Sequence, residues 1–238
     1  MTEPAADPAE SLDAKIARVD PNRWLSSRFV ADEEMRSDLI TLYAFDHELA
    51  RIPGSVKQAL LGEIRVAWWR EGLDEVFEGK PARAHPTLQA LAETIARRRL
   101  PKAPFEAMLD ARTRELEPEP FADEAGLNAW LDQAHGSVMA QAVAVLDPKA
   151  DQSLGEQAAR AWGLGVLARQ GRLTPADWTP EAVEAKRREA LARARVQAAK
   201  LPASAFPAVA HASLSGPIRR GTLATRLKLV WSVATGRV

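Results

Sequence analysis

The chain has 238 residues, 46% of them hydrophobic, which is enough apolar material for one sizeable core or two small ones. Lysine plus arginine and aspartate plus glutamate stand at 32 each, so there is no net basic charge of the kind that nucleic-acid binding rests on. With no cysteine there is neither a disulfide framework nor a thiolate metal site, which fits a reducing cytoplasm.

The first ten residues, MTEPAADPAE, are acidic and proline-rich and read as a disordered tail. They lack the basic and apolar regions of a signal peptide. Residues 11–238 read as one domain. A short helix is expected over 11–19. Asp20-Pro21 opens a new segment, and 22–30 (NRWLSSRFV) is the next helix.

Residues 32–79 carry the clearest pattern. Asp32 is an N-cap, with Glu33 and Glu34 in the first turn where the helix dipole favours negative charge. Met35, Leu39, Leu42, Asp46 and Leu49 follow at helical spacing. Pro53-Gly54 ends that helix. A second stripe runs through Val56, Ala59, Leu60, Glu63, Val66, Ala67, Arg70, Leu73 and Phe77, closed by Gly79 and Pro81. Asp46, Glu63 and Arg70 occupy positions where apolar residues belong. An unpaired inward charge costs several kcal/mol. The three are therefore expected to meet in the interior or to line a cavity, with Arg70 paired to Glu63 or Asp46; with the stripe rotated slightly, they would lie at its edge.

A loop, GKPARAHP, precedes a helix over 87–99 that ends in Arg97-Arg98-Arg99. This triplet suits the C-terminal dipole and reads as a solvated helix end, with contact to a phosphate or an acidic lipid as the alternative. Residues 105–116 form the next helix, cut off by EPEP. Residues 123–146 are the longest periodic stretch, with Leu127, Trp130, Leu131, Ala134, Val138 and Val145 inward. The small residues of 155–172 (GEQAARAWGLGVLARQGR) suit a tightly packed, buried helix. Helices over 181–200, 203–213 and 218–234 complete the chain. The four histidines, at 47, 85, 135 and 211, are scattered and do not suggest a metal site. No apolar run approaches the ~18–20 residues that span a bilayer. No transmembrane segment is expected, and peripheral membrane contact stays open.

The block LYAF–ELAR followed by GEIR–WWRE resembles the squalene/phytoene synthase family, the head-to-head prenyl synthases. It is most similar to the branch that includes the respiratory complex I assembly factor of mitochondria and its bacterial relatives. The similarity runs from about Asp20 to Trp231. It implies an all-α, single-domain bundle with the prenyl (isoprenoid) synthase fold. Active members carry a DDxxD-type motif just after the AF dipeptide. Alignment on Ala44-Phe45 puts Ala50, Arg51, Ile52, Pro53 and Gly54 there, none of them acidic. Their second motif, N-x-x-R-D-x-x-x-D, matches here only at Arg169; Val166 replaces the asparagine and Gln170 the first aspartate. Ser26, Ser27 and Arg28 resemble residues that help bind diphosphate. His135-Gly136-Ser137-Val138 resembles AGxVG, where small residues let a prenyl chain lie against the helix.

The resemblance therefore implies a fold whose Mg²⁺-diphosphate motifs are lost, with no catalytic residue and no metal ligand to name. The pocket or anion-binding candidates are Ser26, Arg28, Tyr43, Asp46, Arg51, Glu63, Arg70, Gly136 and Arg169. Three readings stay open. One is a catalytically degenerate binding or assembly factor with a protein partner, as in respiratory-complex biogenesis. The second is a divergent prenyl transferase that still uses Mg²⁺. The third is a carrier for an isoprenoid lipid. No other cofactor is expected.

Overall fold

A computed structural model describes residues 10–117, 119–171, 174–216 and 223–238. The expected N-terminal tail, save Glu10, and the first turn of the last expected helix lie outside the described residues. Among the described residues there is no strand.

Capping chemistry sets the first boundaries. Ser11 accepts from the Ala14 amide and opens α1 (Leu12–Val19). Asp20 caps α2 (Pro21–Ser27), with Pro21 in the first turn. Asp32 accepts from the Met35 amide at 2.7 Å and starts α3 (Glu33–Ala50), as expected. The Pro53-Gly54 break is a single turn, α4 (Ile52–Ser55), after which Val56 is extended. Then come α5 (Ala59–Phe77), α6 (Pro86–Arg98) and α7 (Ala103–Arg114).

The long stretch 123–146 is not one regular helix. α8 (Glu124–Leu131) passes into a π-helical turn, Asp132–Gly136, and continues as α9 (Ser137–Leu146). The six inward positions are nevertheless all buried. A 3₁₀ turn, Gln152–Gly155, leads into α10 (Glu156–Gln170). The remainder is α11 (Pro180–Ala198), the short α12 (Pro207–Ala210) with a 3₁₀ turn, and α13 (Leu223–Thr235).

Helix α3 runs through the core and packs against α1, α6, α7 and α9. Leu39, Leu42, Phe45 and Leu49 are fully enclosed. Its polar ends are fastened by side chains. Buried Asp38 accepts from Thr94 at 3.0 Å, Arg97 at 2.5 Å and Arg98 at 2.6 Å. Two members of the basic triplet thus clamp α6 onto α3 instead of standing in solvent. A carboxylate this buried persists only because charge-assisted bonds replace its hydration.

Helix α5 is rotated from its expected face. It buries Gly62, Val66, Trp69, Gly72 and Leu73, while Ala59, Leu60, Glu63 and Ala67 are exposed. The reason is packing shape. A Cβ on Gly62 would lie 2.3 Å from Leu116 Cδ2, and one on Gly72 would lie 2.7 Å from Leu88 Cδ2. Trp69 meets the Phe45 ring edge-on at 5.5 Å. Two glycines and a tryptophan fit the neighbouring helices better than the aliphatic stripe does.

Helix α10 packs closely against α11, α8 and the π turn. Gly163 admits Leu131 and His135, and Gly165 lets the backbone of Ser215 approach. A Cβ at 165 would stand 2.1 Å from the Ser215 carbonyl oxygen, a backbone atom that no rotamer change can move. Gly165→Ala should therefore destabilise the protein by about 1–3 kcal/mol, the usual scale of overpacking. A Cβ at Gly54 would meet nothing within 4 Å. Urea denaturation of Gly165→Ala beside Gly54→Ala checks this, and equal midpoints would contradict it.

Candidate functional site

A cavity of about 360 Å³ opens between the α1–α2 junction, α3, α7, the π turn and α10. Its charged floor comes from three helices. Pro21 starts α2 and sets Arg23 one turn in, where the side chain is almost wholly enclosed. On α7, Arg112 follows Phe105, Met108 and Leu109 on the inward face. Asp46 lies between the two arginines.

Arg23 Nη1 donates to Asp46 Oδ2 at 2.5 Å, and Arg112 Nη2 donates to Asp46 Oδ1 at 2.9 Å. Arg112 Nη1 also pairs with Glu115. Asp20 lies 3.6 Å from Arg23 Nε. The result is a buried chain of alternating sign, Arg23–Asp46–Arg112–Glu115. Burial alone would raise the Asp46 pKa; Arg23 and then Arg112 overcome it and hold the carboxyl well below the usual range. The same burial opposes the charge on Arg23, and Asp46 and Asp20 restore it.

Two neutral histidines complete the interior. His135 lines the cavity, and burial followed by the nearby Arg112 pushes its pKa down to about 3. His211 lies edge-on to Trp162 at 4.9 Å and to Tyr43 at 6.1 Å. Burial, and then Arg23, puts its pKa well below the ordinary value. None of the four ring nitrogens has a hydrogen-bond partner among the described residues.

The structure separates the sequence-derived candidates. Asp46 and Arg169 line the cavity. Tyr43 is buried beneath it, with the Arg23 guanidinium 5.2 Å from its ring centroid. Ser26 instead donates to the Pro207 carbonyl at 2.6 Å, and Ser27 to the Trp24 carbonyl at 2.7 Å. Arg28 pairs with Asp13 at 2.5 Å and lies over Trp24. Arg51 is exposed, 3.5 Å from Glu48. Gly136 sits in the π turn, beside a separate depression. Arg70 meets neither Glu63 nor Asp46. It pairs with Asp110 on α7 at 2.6 Å, and Glu63 is exposed, both consequences of the rotated α5. The residues that sequence reasoning missed are Arg23, Arg112 and Glu115.

Magnesium needs several oxygen ligands free to enter an octahedral shell. The carboxylates lining the cavity are Asp20, Asp46 and Glu115, and each is engaged by an arginine. This donor set does not fit a Mg²⁺ cluster. Among the described residues, no three His, Asp or Glu side chains form a metal-binding group elsewhere. What the cavity does offer is a polar mouth. Asn22, His47 and Arg169 line it, with Trp162 beneath the Arg169 guanidinium at 5.6 Å. Such an arrangement suits a small polar or anionic group held by charge-assisted hydrogen bonds.

Solved structures show the fold. The fold matches the crystal structure of a dehydrosqualene synthase in complex with ligand, with a TM-score of 0.78 over 94% of each chain at 14% identity. It also matches a squalene synthase from Alicyclobacillus acidocaldarius, with a TM-score of 0.67 over 94% of this chain and 93% of that one, again at 14% identity. This is the all-α isoprenoid synthase fold. The squalene/phytoene synthase profile matches residues 16–170, and the chain belongs to that family. Among curated relatives, it is 23% identical over 158 residues to the "NADH dehydrogenase (ubiquinone) complex I, assembly factor 6 homolog" of Dictyostelium discoideum, covering 65% of this chain and 44% of that protein. It is 25% identical over 116 residues to the Bos taurus "NADH dehydrogenase (ubiquinone) complex I, assembly factor 6", covering 49% of this chain and 34% of that protein. The chain thus spans less than half the length of these relatives.

The buried chain of charges makes a mutational prediction. Arg112→Ala removes the buried cation that Asp46 and Glu115 share and should cost about 3–5 kcal/mol. Arg70→Ala removes only a surface pair and should cost no more than about 1 kcal/mol. Denaturant titration of the two variants tests the contrast, and comparable losses would contradict it.

The histidines make a second prediction, on pH. Their folded pKa values lie below the ordinary 6.5, so the unfolded chain takes up protons first on acidification. Their contribution is fully present above pH 6.5 and is lost as pH falls, for His135 down to about 3. Each histidine gives a slope approaching about 1.4 kcal/mol per pH unit. Replacing His211 with phenylalanine, a ring of similar size, should flatten the stability profile between pH 6.5 and 4.5. An unchanged slope would count against it.

Proposed function

We propose that this protein is a binding or assembly factor built on the squalene/phytoene synthase fold, without prenyl synthase activity, and that it serves respiratory complex I biogenesis. The observation that carries the reading is the double clamp on Asp46. Both carboxylate oxygens are taken by guanidinium groups. Loss of diphosphate from a prenyl substrate needs metal cations held by converging carboxylates. A cation entering here would first have to break two buried, charge-assisted bonds. The substitutions Ala50, Arg51 and Gln170 at the two aspartate-rich motifs support the same conclusion. The assembly role is supported by the names of the curated relatives.

The cavity also argues against an isoprenoid carrier. Its volume is near the lower end of the ~300–1,000 Å³ of small-molecule sites, and its floor is charged. An apolar tail placed there would desolvate the arginines without replacing their bonds.

Two measurements test the proposal. Purified protein incubated with farnesyl or geranylgeranyl diphosphate and Mg²⁺ should release no pyrophosphate above background. Turnover that EDTA abolishes would overturn the degenerate-site reading. Deleting the gene should lower the amount of assembled complex I in the source cell, with restoration by the intact chain. Normal assembly in the deletion strain would overturn the biogenesis role.

A further inference from the structure

The charge balance of the whole chain hides a strong asymmetry. Residues 190–238 contain eight lysines and arginines and no aspartate or glutamate. This segment lies entirely beyond the part of the chain that the family profile matches, which ends at residue 170. It includes α13, which turns most of its apolar surface outward.

Only Thr225, Leu229 and Ser232 of α13 are buried. Leu223, Leu227, Val230 and Trp231 are 71%, 59%, 49% and 70% exposed. At ~100° per residue these four share one face, opposite the buried one, and Arg226 and Lys228 flank it on its two sides. Beside this face, a groove of about 270 Å³ separates α13 from α11. Arg195, Lys228, Trp231 and Arg237 line it, and no acidic side chain does. Arg195 Nε also donates to the Val238 main-chain oxygen at 2.8 Å. Arg195, Lys228 and Arg237 thus bring three cationic side chains to one groove; burial, and then the nearby Arg187 and Arg195, lowers the Lys228 pKa.

We propose that α13 and the Arg195–Lys228–Arg237 groove form a docking surface for an anionic phospholipid bilayer. The helix lies in the plane of the membrane. Leu223, Leu227, Val230 and Trp231 seat in the interfacial layer, and the flanking cations take lipid phosphates. A bilayer supplies what this face lacks, a sheet of negative charge over an apolar layer. A second copy of this chain would bring like charges together, which opposes self-association through the same face. The other exposed apolar stripe, Leu60, Leu61, Ile64 and Trp68 on α5, lies among Lys57, Glu63, Arg65 and Glu71. Its mixed charge selects no such surface.

The test is vesicle flotation of the full chain, using phosphatidylcholine with and without phosphatidylglycerol. Binding should require the anionic lipid and weaken as salt rises. Each neutralised cation should lower the partition coefficient about fivefold, so Arg226→Gln with Lys228→Gln should lower it roughly 30-fold. Leu227→Ala with Trp231→Ala should weaken binding without changing the circular dichroism, because both side chains are exposed. Leu60→Ala with Leu61→Ala on α5 should leave binding intact. No flotation with anionic vesicles would overturn the proposal. So would flotation that survives both α13 variants, or a Trp231-dependent dimer seen by light scattering without vesicle binding.

Discussion

A carboxylate shared by two arginines holds the centre of this molecule. Asp46 stands on α3, which runs through the core, and its two oxygens bind side chains from α2 and α7. With Glu115 in the set, losing either arginine would leave two buried carboxylates against one cation, and each ion must recover a desolvation penalty of several kcal/mol. The alternation Arg23–Asp46–Arg112–Glu115 meets that cost by keeping the interior close to neutral. It also fixes the register of three helices against one another. The cavity above inherits this floor, and so does its chemistry. Groups already saturated by one another have little left for a metal ion.

The fold was largely legible because its signals are local. Asp32, Pro21 and Asp123 announce helix starts, and the structure uses all three as caps or first-turn residues. The core positions of 123–146 follow from spacing alone and are buried, although a π turn interrupts the helix. That turn has no periodic signature, because it adds one residue to a turn without changing composition. The face of α5 was misread because hydrophobicity scored Leu60 and Ala67 above Gly62 and Trp69. Shape decided otherwise: the glycines accept Leu116 and Leu88.

The site was legible in part, and its gaps follow from one uneven use of a rule. A charge in an apolar stripe drew attention to Asp46. The same rule applied to Phe105, Met108, Leu109, Arg112 and Leu116 would have found Arg112, whose partner Glu115 is a turn away. Arg23 shares a face with Ser26 and Ser27. The serines drew the attention, yet their hydroxyls bond to backbone carbonyls and the arginine enters the cavity. Neither the pairing across helices nor the alternation of sign is written in any single stretch. Both need the tertiary contacts.

The interior and the surface of the chain differ in what they leave unpartnered. Inside, the carboxylates Asp46 and Glu115 are paired with Arg23 and Arg112. Outside, α5 and α13 expose leucines, isoleucine and tryptophans that a helix bound only to its own core would turn inward. Exposed apolar area of this kind carries a cost in solubility and aggregation, and it marks surfaces that something else covers. The charged floor of the cavity is held by its own salt bridges, and the outer helices present apolar faces available for contact. The position of the basic segment then gives that contact a direction. Arg226 and Lys228 lie on α13 and Arg195 and Arg237 line the groove beside it, all beyond residues 16–170, while acidic residues are in excess over residues 1–189. An anionic surface therefore meets attraction at one end of the sequence and repulsion elsewhere. This is an orienting field, and net charge alone would not reveal it.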